Sequence, residues 1–354
     1  MTAASVGQPA NQGHGDPTSF GDRLADRVAT RRSQIVLGLD PDPSRLWPEA
    51  IRLADAAHAV DAAGAGHAAG AAGAAGAAGA VRAVRAAGPA DMPVAVRAAR
   101  AVAAHCALVI EATAEECVAV KPQVACFERL GAPGWSALAD TVALARDRGL
   151  IVIADAKRGD VDVTAAAYAQ AFLGETPSPF GPIEGLGADA MTVNPLLGRD
   201  SLEPFVNTAR VHGRGLFVLV RTSNPGAADV QERVLADGSA LSERLADLVA
   251  DVGAPGVGRN GLSDVGAVVG ATVPDRLAAL RERMPHAAFL LPGVGAQGGK
   301  VEDLEPAFVN GPAGGLISAS RGIVFAHERA GGDPAGAAAR EAHRLREVAW
   351  RLAA

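Results

Sequence analysis

Eight short apolar runs recur along this chain: QIVLGLD (34–40), CVAVKP (117–122), LIVIADAK (150–157), ADAMTVNP (188–195), GLFVLVRTS (215–223), VGAVVGAT (265–272), AAFLLPGVG (287–295) and GGLISASRG (314–322). Most are nearly unbroken rather than alternating, the pattern of parallel strands buried on both faces. Helical patterns lie between most of them, as in 135–149, 241–253 and 274–284, and a last one at 337–354 closes the series. Eight strand–helix units in one chain predict an α/β protein with a closed (β/α)8 barrel; a doubly wound open sheet is the alternative.

A barrel of this kind needs about 250 residues, and the chain has 354. Two segments account for part of the excess. Residues 1–20 are polar, with Gly and Pro and no periodicity, and predict a disordered tail. Residues 61–91 are a low-complexity Ala/Gly tract, which predicts a flexible surface insertion in a single barrel domain over 21–354. A net charge of −6 argues against a general nucleic-acid or anionic-membrane binder. No apolar run reaches the roughly 18 residues that span a bilayer, and no basic segment precedes an apolar one at the start. Cys106, Cys117 and Cys126 form no CxxC pair, which fits a reducing cytoplasm.

Lysine is scarce. Of 33 basic residues only Lys121, Lys157 and Lys300 are lysine, so arginine serves almost wherever a plain positive charge suffices. Lysine, unlike arginine, can give up a proton, which makes each one a candidate for chemistry. Polar residues also gather at the C-terminal ends of the apolar runs: Asp40, Lys121, Asp155 with Lys157, Asn194, Ser223, Gln297 and Arg321. In a barrel that end carries the active site.

The densest cluster is DAKRGDVDVT, residues 155–164. Strand periodicity would put Asp155 and Lys157 on one side. Asp160 would fall near a helix N-terminus and share a helix face with Thr164. A row of Asp155, Lys157 and Asp160, extended by Lys121, would keep its members ionised and could deliver a proton. The eight histidines form neither HxH nor HExxH, so no metal site is expected.

Two stretches match G-x-G-x-x-G. The one at 256–261 precedes a strand and reads as a loop. The one at 293–298, with Gly295 and Gly298, follows the seventh run, and Arg321-Gly322 follows the eighth. Loops in those two places form the usual phosphate site of such barrels, where amides and Arg321 could grip the oxygens.

D-A-K-R-G-D with a threonine four residues past the second aspartate resembles orotidine 5′-phosphate decarboxylase. LGLDPDP, VKPQVACFE, TVNPLLGRDSLEPF, VRTSNPG, LPGVGAQGG and ISASRGI are similar to the bacterial branch with longer loops. The resemblance implies a (β/α)8 homodimer that converts orotidine 5′-monophosphate to uridine 5′-monophosphate and CO2 without a cofactor. It implies Lys157 as proton donor, Asp155 beside the substrate carboxylate, and Lys121 and Asp40 at the ribose. Ser223 would meet the pyrimidine, Gln297 would bridge phosphate and base, and Arg321 would bind phosphate. Asp160 and Thr164 would serve the neighbouring subunit's site. The alternatives are a Mg2+-dependent sugar-phosphate barrel with the same D-x-K-x-x-D row, a Schiff-base aldolase, and a non-catalytic nucleotide binder.

Overall fold

The computed structural model describes residues 19–56, 92–295 and 298–353. The Ala/Gly tract, Gln297 and residues 1–18 of the expected tail lie outside them. Eight parallel strands close into a barrel: β1 (Ile35–Leu39), β2 (Ala119–Pro122), β3 (Ile151–Arg158), β4 (Ala190–Val193), β5 (Gly215–Arg221), β6 (Val265–Val269), β7 (Phe289–Pro292) and β8 (Gly315–Ala319). Each pairs with its neighbours in sequence and β8 returns to β1, so the architecture is the (β/α)8 barrel and not the open sheet. Every apolar run contributes one strand.

Helix α1 (Phe20–Arg31) precedes the barrel. The outer layer contains α2 (Val94–Thr113), α3 (Ala132–Asp147), α4 (Asp162–Leu173), α5 (Arg199–Val211), α6 (Leu241–Gly253), α7 (Pro274–Arg283) and α8 (Pro334–Ala353). Between β7 and β8 the crossover is a 3-10 helix, Val301–Phe308. Helices α3 and α8 start three residues before the apolar periodicity does. Pro133 and Pro334 fall in their first turns, where a missing N–H costs no helical hydrogen bond.

Alternation along the strands sorts two cores. Val36, Ile153, Phe217, Leu290 and Leu316 pack together with α1, whereas Leu37, Val152, Met191 and Val218 belong to the layer beneath the outer helices. Helix α1 has no counterpart among the eight expected strand–helix units. Ser19 caps it by accepting the Asp22 N–H at 3.2 Å. Phe20, Leu24 and Val28, spaced by four, form its buried face, each worth about 1.5–3 kcal/mol of burial. Phe20, placed in the expected tail, is instead buried and lies edge-on to Phe217, with ring centres 6.1 Å apart. A Cβ at Gly215 would stand 2.2 Å from the Phe20 ring, so only glycine admits this closure.

Candidate active site

Because all eight strands are parallel, their C-terminal ends share one mouth. A cavity of about 440 Å3 opens there. Asp40, Lys121, Asp155, Lys157, Ser223, Arg321 and Gly322 all line it. The structure thus brings together residues from strand ends as far apart in sequence as β1 and β8.

Asp155 is buried at the centre of the charged row. Lys121 Nζ donates to Asp155 Oδ2 and Lys157 Nζ to Asp155 Oδ1, each at 2.5 Å. Gln123 Nε2 donates to Oδ2 at 3.2 Å, and Thr192 Oγ1 donates to Oδ1 at 3.0 Å. Burial alone would raise the Asp155 pKa, but Lys121 and then Lys157 outweigh it and hold the carboxyl well below its usual range. Burial likewise opposes the Lys121 charge, and Asp155 with Asp40 more than restores it, so its pKa lies above the ordinary lysine value. The result is a fixed, ionised floor under a cavity.

Lys157 reaches Asp155 by a different route from the expected pleat. Ala154 is in register with Met191 and Arg158 with Val193. Three residues of β3 therefore oppose one of β4, a bulge. Lys157 has φ +48°, in the left-handed region where a side chain other than glycine's is strained. Its side chain is half-exposed and lines the cavity while Asp155 is buried. The neighbouring Arg158 turns the other way, pairs with Glu128 and lies over the Tyr168 ring at 5.2 Å, a packing role.

Asp160 and Thr164 stand outside the cavity lining. Asp160 is half-buried and accepts the Val161 N–H at 2.8 Å, and Thr164 is exposed in the first turn of α4. Asp160 precedes the helix rather than sharing its face, because α4 begins only at Asp162. Asn194 is likewise exposed, its Oδ1 accepting the Leu196 N–H in a turn.

After β7 the cavity is lined by Gly293 and Val294. Gly295 and Gly298 lie farther along the loop, both with positive φ. Their amides donate within it, to Gly299 O and Gly295 O, each at 2.9 Å. Arg321 and Gly322 open a short helix, Arg321–Val324, whose first amides have no carbonyl a turn earlier to bond.

Gln123 and Thr192 were not singled out in the sequence. Gln123 carried a usable signal, since it lies two residues beyond Lys121 and so on the same side of β2. Thr192 carried none, being one β-branched residue inside an apolar run. Leu219, Val268, Leu290 and Pro292 form an apolar wall beside the charged floor. Among the described residues no group of three or more His, Cys, Asp or Glu is placed to hold a metal ion, and no helix is long and apolar enough to cross a membrane.

Residues 34–331 match the model of the orotidine 5′-phosphate decarboxylase / HUMPS family. An orotidine 5′-phosphate decarboxylase of Haloarcula marismortui is 42% identical over 313 residues, 88% of each chain. One of Rhodopirellula baltica is 45% identical over 231 residues, 65% of this chain and 75% of the relative. The solved structure of Leishmania donovani OMP decarboxylase, 31% identical, aligns with a TM-score of 0.61 over 94% of this chain and 99% of that one.

Proposed function

The chain belongs to the orotidine 5′-phosphate decarboxylase / HUMPS family, and we propose that its barrel-mouth cavity converts orotidine 5′-monophosphate to uridine 5′-monophosphate and CO2, a step of pyrimidine biosynthesis. One observation carries the reading. A single cavity holds the Lys121–Asp155–Lys157 row at one side and the loops after β7 and β8 at the other. Strand β7 stands four places from β3 around the ring. A substrate with a phosphate at one end and a reacting carbon at the other fits that polarity.

In this reading Arg321 and the Gly322 amide hold the phosphate. Asp40 and Lys121 meet the ribose hydroxyls, and Ser223 meets the pyrimidine. Gln297 bridges phosphate and base, and Gly295 and Gly298 give the loop that carries it its turns. As the bond from C6 to the carboxylate breaks, CO2 leaves and the electron pair stays on C6. Lys157, already charged, attracts that pair and passes a proton to it, ending neutral until it is reprotonated. Asp155 holds Lys157 in place, and the apolar wall of Leu219, Val268 and Leu290 keeps water from the reacting carbon. Phosphate binding far from C6 can drive the closure that brings these groups to bear.

The active form in this reading is a homodimer, in which Asp160 and Thr164 complete the partner's site. Two features support it. Both residues lie outside their own chain's cavity lining. Exposed apolar side chains, Val161, Val163, Leu196 and Leu197, flank them at the ends of β3 and β4, as a two-fold contact would require. A cytoplasmic location is in keeping with free Cys106 and Cys117, whose thiols burial pushes up to about 12.

The purified protein should deplete orotidylate absorbance with stoichiometric release of CO2. No step is assigned to a metal or an organic cofactor, so the rate should survive exhaustive chelation. Absence of turnover with tight uridylate binding would indicate a binding protein. Loss with EDTA, restored by Mg2+, would favour a sugar-phosphate reaction.

A further inference from the structure

At the opposite end of the barrel, α1 and the segments entering β3, β4 and β5 surround a second cavity, of about 620 Å3. That volume is in the range of small-molecule sites. Its floor is Asp189, buried just ahead of β4. One carboxylate oxygen accepts the Val152 N–H at 3.0 Å. The other accepts from Arg23 at 2.9 Å and from Arg214 at 2.8 Å. Two guanidiniums thus share one negative charge that is already fully engaged.

Arg27 and Arg146 line the same cavity with no carboxylate partner among the described residues, and Arg259 pairs with Asp26 at 2.8 Å. Five guanidiniums face two carboxylates, an excess of three positive charges in a chain whose net charge is −6. Arg214 Nε is buried and has no hydrogen-bond partner. Burial pushes the Arg214 guanidinium below its ordinary value, and Arg23 and Arg146 add to this against the pull of Asp189. Like charges held this close by a buried anchor call for an anion that is not part of the chain.

We propose that this cavity binds a small oligophosphate, either inorganic pyrophosphate or the phosphate tail of a nucleotide. Guanidinium forks match paired phosphate oxygens. An oligophosphate also carries about the charge needed to neutralise an excess of three. No aromatic side chain lines the cavity among the described residues, so the phosphates rather than a base are recognised.

The test is calorimetric titration of the full chain with inorganic pyrophosphate, and separately with ATP, at fixed ionic strength. Wild type, Arg321→Ala and the double variant Arg27→Gln/Arg146→Gln are compared. Pyrophosphate should bind wild type and Arg321→Ala alike, and at least tenfold more weakly to the double variant, whose orotidylate turnover should be unchanged. Arg146→Gln alone, at an exposed position, should weaken binding severalfold and serves if the double variant is unstable. Comparable or tighter binding of ATP assigns the nucleotide tail, and binding of pyrophosphate alone assigns the inorganic anion. The proposal is overturned if neither ligand binds at millimolar concentration, if the arginine variants bind as wild type does, or if binding disappears in Arg321→Ala.

Discussion

The side-chain oxygen of Thr192 accepts the backbone N–H of Lys157 at 2.9 Å. The same hydroxyl donates to Asp155 at 3.0 Å. One buried side chain on β4 therefore holds both the strained backbone of the lysine and the carboxylate to which that lysine is paired. It occupies the single β4 position that faces the three bulged residues of β3.

Thr192→Val keeps the volume and removes the hydroxyl. A buried N–H left without an acceptor costs about 1–3 kcal/mol, so kcat should fall roughly 5- to 150-fold with little change in KM if the loss lies in positioning Lys157. Thr192→Ser should recover most of the rate. Steady-state kinetics of the two variants decide it: an unchanged kcat for the valine variant would show that the bulge holds Lys157 without help.

Lys157→Ala should abolish nearly all turnover while the barrel stays folded, because the side chain is half-exposed and Asp155 keeps Lys121 as a partner. Lys157→Arg should fail as well, since a guanidinium keeps its proton. Turnover by the arginine variant near the wild-type rate would remove Lys157 from the proton-transfer role.

Sharing of sites can be read by complementation. Lys157→Ala and Asp160→Ala should each be nearly inactive alone. After subunit exchange about half the dimers are mixed, each with one intact site, so roughly a quarter of all sites should recover. Exchange confirmed by mass, with no activity regained, would place Asp160 in its own chain's site.

His105 sets a pH limit on stability. It is buried on α2, accepts the Trp47 N–H at 3.1 Å, and burial pushes its pKa down to about 4. The unfolded value is near 6.5. Below that the unfolded chain takes up a proton that the folded chain refuses, so this contribution is intact above about pH 6.5 and is lost as pH falls towards 4. The full loss is on the order of 3 kcal/mol. Denaturant unfolding at pH 7 and pH 4.5 should show a smaller difference for His105→Gln than for wild type; equal differences would assign the acid sensitivity to other groups.

The eight strands, their order and the end at which polar residues gather are legible in the amino-acid sequence. A strand buried on both faces must be apolar along its whole length, and polar residues must then appear where it ends. The sequence also marked Lys121 and Lys157 as candidates, because lysine is scarce in a chain that otherwise uses arginine, and both line the mouth cavity whereas Lys300 does not. How these parts meet is fixed by long-range contacts. The closure of the barrel by α1, the bulge that turns Lys157 onto Asp155, the hydroxyl of Thr192 and the arginine cluster around Asp189 are all contacts between distant positions. Arg23 and Asp189 are 166 residues apart, and Thr192 and Asp155 are 37 apart. No local periodicity carries such a pairing, because its energy exists only once the barrel has closed and brought the two side chains within hydrogen-bonding reach.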